Sequence, residues 1–280
     1  MRSLLYGALA YWRFRDYKPL PMTFGRARKW VEQFDPKDRK AVGVLLKKVV
    51  YLSEETTRNI LVEQNRTLMS RLGALGLPPD KLIYVQVHDA GSSSPVMLNI
   101  LRDAAGLDRL GCHFVDAHDS LKLNKITNEV GVGALIYVDD FVGTGNQFCK
   151  ERQFAVQSVV GTFSEFLLVP CICEEGIYKI AKEGVEAIAG HVHSKAERPL
   201  HDNSHMIARD AKQRLREICR RISPAMGLGY NQLATMVILY RNAPNTVPSV
   251  FRGSPNQAPF AGLFPRWKDL PISSPADEMT

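Results

Sequence analysis

Two adjacent carboxylates, Asp139 and Asp140, stand in the run IYVDDFVGTG (136–145), between an apolar stretch and a glycine-rich turn. Neighbouring carboxylates repel each other, and in the ionised form they only accept hydrogen bonds. A cis-diol supplies two donors, so a sugar suits the pair. The turn that follows suits a phosphate. Gly143, Thr144 and Gly145 allow close backbone approach, and Asn146 and Gln147 open a helix whose first amides carry the positive end of the helix dipole. Together these residues fit a sugar phosphate. The plainer alternative is a strand, a turn and a helix whose acids are solvated or cap the helix.

A second stretch, VQVHDAGSSSPVM (85–97), repeats the order of strand, acid, small residues and helix. Asp89, Ala90 and Gly91 are followed by three hydroxyl donors, Ser92, Ser93 and Ser94. Simple capping by Ser94 before Pro95 explains the serines as well. A third cluster, HVHSKAERPLHDNSH (191–205), holds His191, His193, His201, Asp202 and His205. The first two histidines share a strand face and the last two a helical face, which is compatible with a divalent metal. An Asp202/Asn203 helix cap is the competing account.

The elements that must position these residues follow from periodicity. Residues 23–77 read as three helices. Thr23 caps the first, with Trp30, Val31 and Phe34 on one face. The second presents Val42, Leu45, Leu46 and Val49, and the third, after Ser53, presents Ile60, Leu61, Leu68 and Leu72. From Leu82 the pattern turns to strands alternating with helices. Strands are expected at 82–88, 113–117, 133–140, EFLLVPCIC, EAIAGHVHS and 233–240, with a helix over 203–222. That alternation predicts an α/β fold with a mostly parallel sheet, a helical N-terminal segment and a C-terminal cap.

Of the 280 residues, 45 % are hydrophobic and 23 % charged, the balance of an ordinary globular chain. Five cysteines without CxxC pairs point to reduced thiols and a cytoplasmic setting. The N-terminal MRSLLYGALAYWRFRDY is broken by Arg13 and Arg15 too early for a membrane span and reads as a packing arm or partner-binding segment. The net charge of +7 is compatible with nucleic acid or phosphate ligands. On the 203–222 helix Arg209, Lys212, Arg214, Arg216, Arg220 and Arg221 oppose a core stripe of Ile207, Ala211, Leu215, Ile218 and Ile222, a second reason to consider nucleic acid.

The run LIYVDDFVGTGNQ resembles the phosphoribosyl-diphosphate (PRPP) motif of type I phosphoribosyltransferases, in which a hydrophobic strand and an acidic pair precede a loop of the form x-x-Thr-Gly-x-Thr. The resemblance implies that fold, with Asp139 and Asp140 on the ribose hydroxyls and Gly143, Thr144, Gly145, Asn146 and Gln147 on the 5-phosphate. It implies that residues 89–94 hold pyrophosphate, and that Mg²⁺ is the cofactor, held by substrate oxygens, water and indirectly by the two acids. A mobile loop over 118–130 would bring Lys122 and Lys125 to the reaction. Two departures stand out. Gln147 replaces a hydroxyl residue, and Gly143 replaces a carboxylate present in purine-salvage members.

In the family a variable cap selects the base, for which Asn242, Asn245 and Arg252 are candidates here. The helical preface, VDDFVGTGNQF and APNTVP…LFPRW together look like a divergent branch similar to proteins of bacterial conflict and phage-defence cassettes, including retrons. That likeness implies an effector acting on PRPP or a nucleotide, partnered by a reverse transcriptase–RNA complex, a homo-oligomer or another defence component, without a membrane. Transfer to a base, hydrolysis by water, and a non-catalytic nucleotide-sensing or nucleic-acid-docking module all remain open. The expected division is 1–78 for the arm and helices, 79–223 for the α/β core, 224–271 for the last strand and cap, and 272–280 for a disordered tail.

Overall fold

The computed structural model describes residues 2–87, 93–254 and 258–270. In chain order its first elements are α1 (Arg2–Phe14), α2 (Phe24–Glu32), α3 (Arg39–Lys48), β1 (Val50–Leu52), α4 (Glu54–Ala74) and β2 (Leu82–Gln86). Next come α5 (Ser93–Ala105), β3 (His113–Asp116), α6 (Ser120–Val130), β4 (Val132–Val138), β5 (Phe141–Val142) and α7 (Asn146–Val156). The chain closes with β6 (Thr162–Cys173), α8 (Glu174–Lys182), β7 (Val185–His193), α9 (Arg209–Ile222), β8 (Val237–Leu239) and α10 (Ser249–Arg252). Among the described residues no helix is long and apolar enough to cross a membrane.

The chain divides into two compact units, Glu55–His193 and a discontinuous one made of Met1–Glu54 with Ser194–Thr280. The first unit is a parallel sheet in which β3 pairs with β2, β2 with β4, β4 and β5 with β6, and β6 with β7. Because β4 and β5 lie along the same flank of β6, the spatial order is β3-β2-β4/β5-β6-β7. This is the doubly wound order that reverses direction between its first and third strands. Each crossover carries a helix, as a parallel pair requires.

Strand alternation sends side chains to two cores. Tyr84, Ile136, Val138 and Leu168 meet Leu61, Leu68 and Leu72 of α4 and Met97, Leu98 and Leu101 of α5. Ile83, Val85, Leu135, Tyr137 and Leu167 meet Leu123 of α6, Phe148 and Ala155 of α7 and Ile180 of α8. The α/β class and the parallel sheet expected from the alternating pattern are therefore present. α4 also makes polar contacts with the sheet. Gln64 Nε2 donates to the carbonyls of Val169 (3.0 Å) and Ile188 (2.9 Å), close to Pro170, whose missing N–H interrupts the ladder.

In the second unit α1, α2, α3 and α9 enclose one apolar core with the C-terminal segment, including Trp30, Leu45, Leu46, Leu215, Phe251 and Phe264. Trp30 stacks on Phe251 at 5.4 Å, and its indole donates to the Val250 carbonyl at 2.8 Å. The Thr23 hydroxyl caps α2 by accepting from the Arg26 amide.

Several expectations need correction. The 203–222 helix starts only at Arg209. Upstream, His201 Nδ1 accepts from the Asn203 amide and the Ser204 hydroxyl from the Met206 amide, so side chains there serve turns instead of a helix. The 233–240 strand shrinks to Val237–Leu239, because Asn231, Gln232 and Ala234 have positive φ. Residues 50–52, inside the stretch expected to be helical, form β1 and pair in parallel with β8. The segment 118–130, expected as a mobile loop, is largely the regular helix α6. Asp119 caps it, and Leu123, Thr127 and Val130 anchor it.

Candidate ligand-binding site at the carboxyl end of the sheet

In an open parallel sheet, ligands bind beyond the carboxyl ends of the strands where the order reverses. Here that point lies between β2 and β4. Asp139 and Asp140 occupy the gap between β4 and β5. Val138 pairs with Leu168 and Phe141 with Cys171, so the two strands keep one register across the gap, placing Asp140 opposite Pro170. A proline has no N–H to give, and the ladder opens at that place. The Asp139 amide still reaches the Leu168 carbonyl at 3.1 Å, and its carboxylate accepts the Asp140 amide at 2.8 Å.

Both acids are more covered than solvated strand-end carboxylates would be, with 4 % of Asp139 and 7 % of Asp140 exposed. A buried carboxylate is tolerated only with donors or cations around it. The turn that follows is open by comparison: Gly143 and Thr144 are half-buried, and Asn146 and Gln147 exposed. Gly145 adopts φ 78°, a left-handed conformation that turns the chain into α7. The Asn146 amide lies 3.4 Å from the Thr144 hydroxyl. Among the described residues no acceptor takes the N–H groups of Gln147 and Phe148, as expected of a helix start.

α8 backs this turn. A Cβ on Gly176 would stand 2.7 Å from the Gly143 carbonyl oxygen, so the two backbones touch. Lys179, exposed on the same helix, donates its ammonium to Asn146 Oδ1. Neither residue is singled out by the sequence. Gly-x-x-Lys on an amphipathic helix is ordinary, and only the fold returns it to the turn.

Ser94 is fully buried at the start of α5. Its hydroxyl donates to the Val138 carbonyl at 2.7 Å and accepts the Val87 amide at 3.3 Å, clamping the ends of β4 and β2 together. Asp89, Ala90, Gly91 and Ser92 lie outside the described residues, and Ser93 is the first residue of α5. Lys122 and Lys125 are exposed on α6.

The remaining candidates fall elsewhere. His191 and His193 share β7 with ring centroids 5.9 Å apart. His201 and His205 precede α9, so they do not share a helical face. Half of the basic face of α9 is engaged locally. Arg214 pairs with Asp38 and Arg216 with Asp202, each at 2.6 Å, while Lys212 donates to the carbonyls of His201 and Ser204. Arg209, Arg220 and Arg221 remain exposed. Asn242 Oδ1 accepts from Arg266, and Arg252 donates to the Asn245 carbonyl.

Among solved structures, an orotate phosphoribosyltransferase from Aeropyrum pernix is 14 % identical to this chain, with a TM-score of 0.33 over 49 % of this chain and 69 % of that one. The AQ2163 protein from Aquifex aeolicus is 10 % identical, with a TM-score of 0.33 over 61 % of this chain and 83 % of that one. No curated protein matches the chain. Residues 27–266 match the sequence model of PRTase-CE, a span that includes the acidic pair, its turn and the C-terminal segment. The chain belongs to the PRTase-CE family.

Proposed function

We propose that the corner formed by residues 139–148 binds the ribose 5-phosphate part of PRPP or of a nucleotide, and that the chain breaks the bond at ribose C1. Membership of a phosphoribosyltransferase-like family supports a nucleotide-binding function of that type. One observation carries the finer reading: the acid pair interrupts the sheet in register at its switch point, directly before a left-handed glycine and an open helix start.

In this reading the amides of the turn and the Thr144 hydroxyl hold the 5-phosphate, with the Lys179 ammonium beside them. Asp139 and Asp140 accept from the ribose hydroxyls and fix the ring. Ser94 keeps the ends of β2 and β4 together, and residues 89–94 are assigned the diphosphate on C1 from their resemblance to the family's pyrophosphate loop. With PRPP the C1–O bond breaks with its electron pair leaving on the diphosphate, and with a nucleotide the C1–N bond breaks with its pair leaving on the base. A lone pair of the incoming base or water forms the new bond to C1, and the proton that the incoming group sheds passes to the leaving group or to solvent. Oxocarbenium character at C1 makes a rigid hold on the ring worth more than a protein acid. The two carboxylates are hard oxygen donors of the kind magnesium accepts, directly or through water. Bound there, Mg²⁺ would supply the positive charge that a departing diphosphate needs. An effector role in anti-phage defence, in the cytoplasm and with an RNA-containing partner, belongs to the same proposal and rests on resemblance alone.

Turnover of PRPP and a nucleotide panel with Mg²⁺, read by mass spectrometry, tests it. Asp139→Asn with Asp140→Asn is expected to lower turnover at least about a hundredfold while the melting curve stays cooperative. Full activity in that variant would remove the acids from the site. The burial of both carboxylates favours a second reading, a nucleotide sensor without chemistry. Ligand-induced thermal stabilisation without product, again lost in the double variant, would select it.

A further inference from the structure

Away from the acid pair, in the discontinuous unit, two large aromatic rings stand in solvent beside arginines. Trp267 is 63 % exposed and Tyr230 is 40 % exposed. A continuous set of contacts joins their neighbourhoods. The Asn245 carbonyl accepts both the Tyr230 amide at 2.9 Å and Arg252 Nη1 at 3.2 Å. Arg252 Nη2 lies 3.7 Å from the Asp269 carboxylate, and the Asp269 amide donates to the Arg266 carbonyl at 2.9 Å, closing the short turn that carries Trp267. Arg266 Nε donates to Asn242 Oδ1 at 3.2 Å.

Positive charge is in excess on this surface. Arg252, Arg266 and exposed Lys268 are set against one carboxylate among the described residues, Asp269. Among the described residues no acceptor takes the terminal nitrogens of Arg266. Burial holds the Arg252 guanidinium below its ordinary range, an effect that Asp269 opposes and the nearby charge of Arg266 reinforces. Arg220 and Arg221 are exposed at the end of α9, and Gly227, three residues before Tyr230, packs on the Arg220 backbone.

We infer that the surface of Tyr230, Asn245, Arg252, Arg266 and Trp267 binds single-stranded nucleic acid. Exposed rings give successive bases a stacking face, and the Arg266 guanidinium beside Trp267 meets the phosphates, while the largely covered Arg252 holds the Asn245 and Asp269 segments in place. A duplex hides its base faces and could not use the rings. A lipid-facing patch or the core of a permanent protein interface is contiguous and apolar, whereas amides and charges lie beside these rings. The inference is independent of the phosphoribosyl reading, since it uses none of residues 139–148.

The test uses the full chain and fluorescein-labelled oligo-dT and oligo-U of about 20 nucleotides, long enough for several stacked bases. A hairpin duplex of equal length is the control, and fluorescence anisotropy is read across a salt series. Single strands are expected to bind more tightly than the duplex. Trp267→Ala should weaken binding about tenfold, Trp267→Phe should restore most of it, and Tyr230→Ala should weaken it too. Arg266→Ala should reduce the slope of log affinity against log salt by about one. Trp12→Ala, at another exposed tryptophan, should change nothing. Absence of binding, equal affinity for the duplex, or unchanged affinity in both aromatic variants would each overturn the inference. Circular dichroism of every variant separates loss of contact from loss of fold.

Discussion

At position 176 one hydrogen atom decides how closely two backbones meet. A Cβ there would stand 2.7 Å from the Gly143 oxygen and 3.0 Å from Val142 Cγ1, too close for either to remain in place. Gly176→Ala is therefore expected to cost about 1–3 kcal/mol of stability. It should also push the turn outward, lowering affinity for PRPP or ribose 5-phosphate by about ten- to a hundredfold, because small misplacements of a binding group are expensive. Gly73→Ala is the control, since a Cβ at Gly73 in α4 meets nothing within 4 Å. That variant should stabilise by about 0.5–1 kcal/mol through helix propensity and leave affinity unchanged. Calorimetric titration with ribose 5-phosphate, next to thermal melts, checks both, and equal affinities would show that the turn does not hold the ligand. At this scale the sequence was partly legible. An acid pair between an apolar strand and a glycine turn announces its place at a strand end. The burial of Asp139 and Asp140 was not announced, and neither were Gly176 and Lys179, which only the fold brings to the turn from a helix further along the chain.

Elements are held to one another by interactions that periodicity does not reveal. Arg152 of α7 forms a two-pronged pair with Glu165 of β6, Tyr137 of β4 donates its hydroxyl to Glu165 Oε2 at 2.7 Å, and Glu183 lies 3.5 Å from Arg152. The Arg152 and Glu165 side chains are only 11 % and 14 % exposed, so solvent screens the pair little. Burial and the neighbouring Glu165 together hold the Tyr137 phenol well above its ordinary range, keeping it a donor. Removing the cation alone leaves a covered carboxylate with one neutral partner. Arg152→Met should therefore destabilise by about 3 kcal/mol, and adding Glu165→Leu should recover much of that loss. Urea denaturation of the three proteins decides it; a double variant no better than the single one would deny the coupling. The amphipathic helices and apolar strands were readable from spacing, since burial on one or both faces writes itself into alternation. What spacing could not give were element ends set by turns, such as the delayed start of α9, and β1, whose partner β8 lies far along the chain at Val237–Leu239.

For the whole molecule, chain order and compactness disagree. The apolar residues of the sheet's two cores all fall between Leu61 and Ala189, within one continuous stretch of chain. The third core joins residues 6–51 to residues 200–264. Its N-terminal half has no independent way to bury Trp30, Leu45 and Leu46, because the opposing surface is supplied by Leu215, Phe251 and Phe264. A continuous unit with its own cores meets the condition for folding alone, and a half-core does not. Residues 55–193 expressed by themselves are thus expected to melt cooperatively, and residues 1–54 to remain unfolded. The cysteines provide the readout. Cys112, Cys149, Cys171 and Cys173 lie in the continuous unit and are buried. Burial pushes the Cys112 thiol up to about 11 and raises that of Cys149, so at neutral pH both stay protonated as well as covered. In the excised unit these four thiols should react with a soluble disulfide reagent many times more slowly than after addition of denaturant. Cys219, on the other unit, should behave likewise only when residues 1–54 and 194–280 are both present. Prompt reaction of the four thiols in the excised unit would mean that its two cores depend on the rest of the chain.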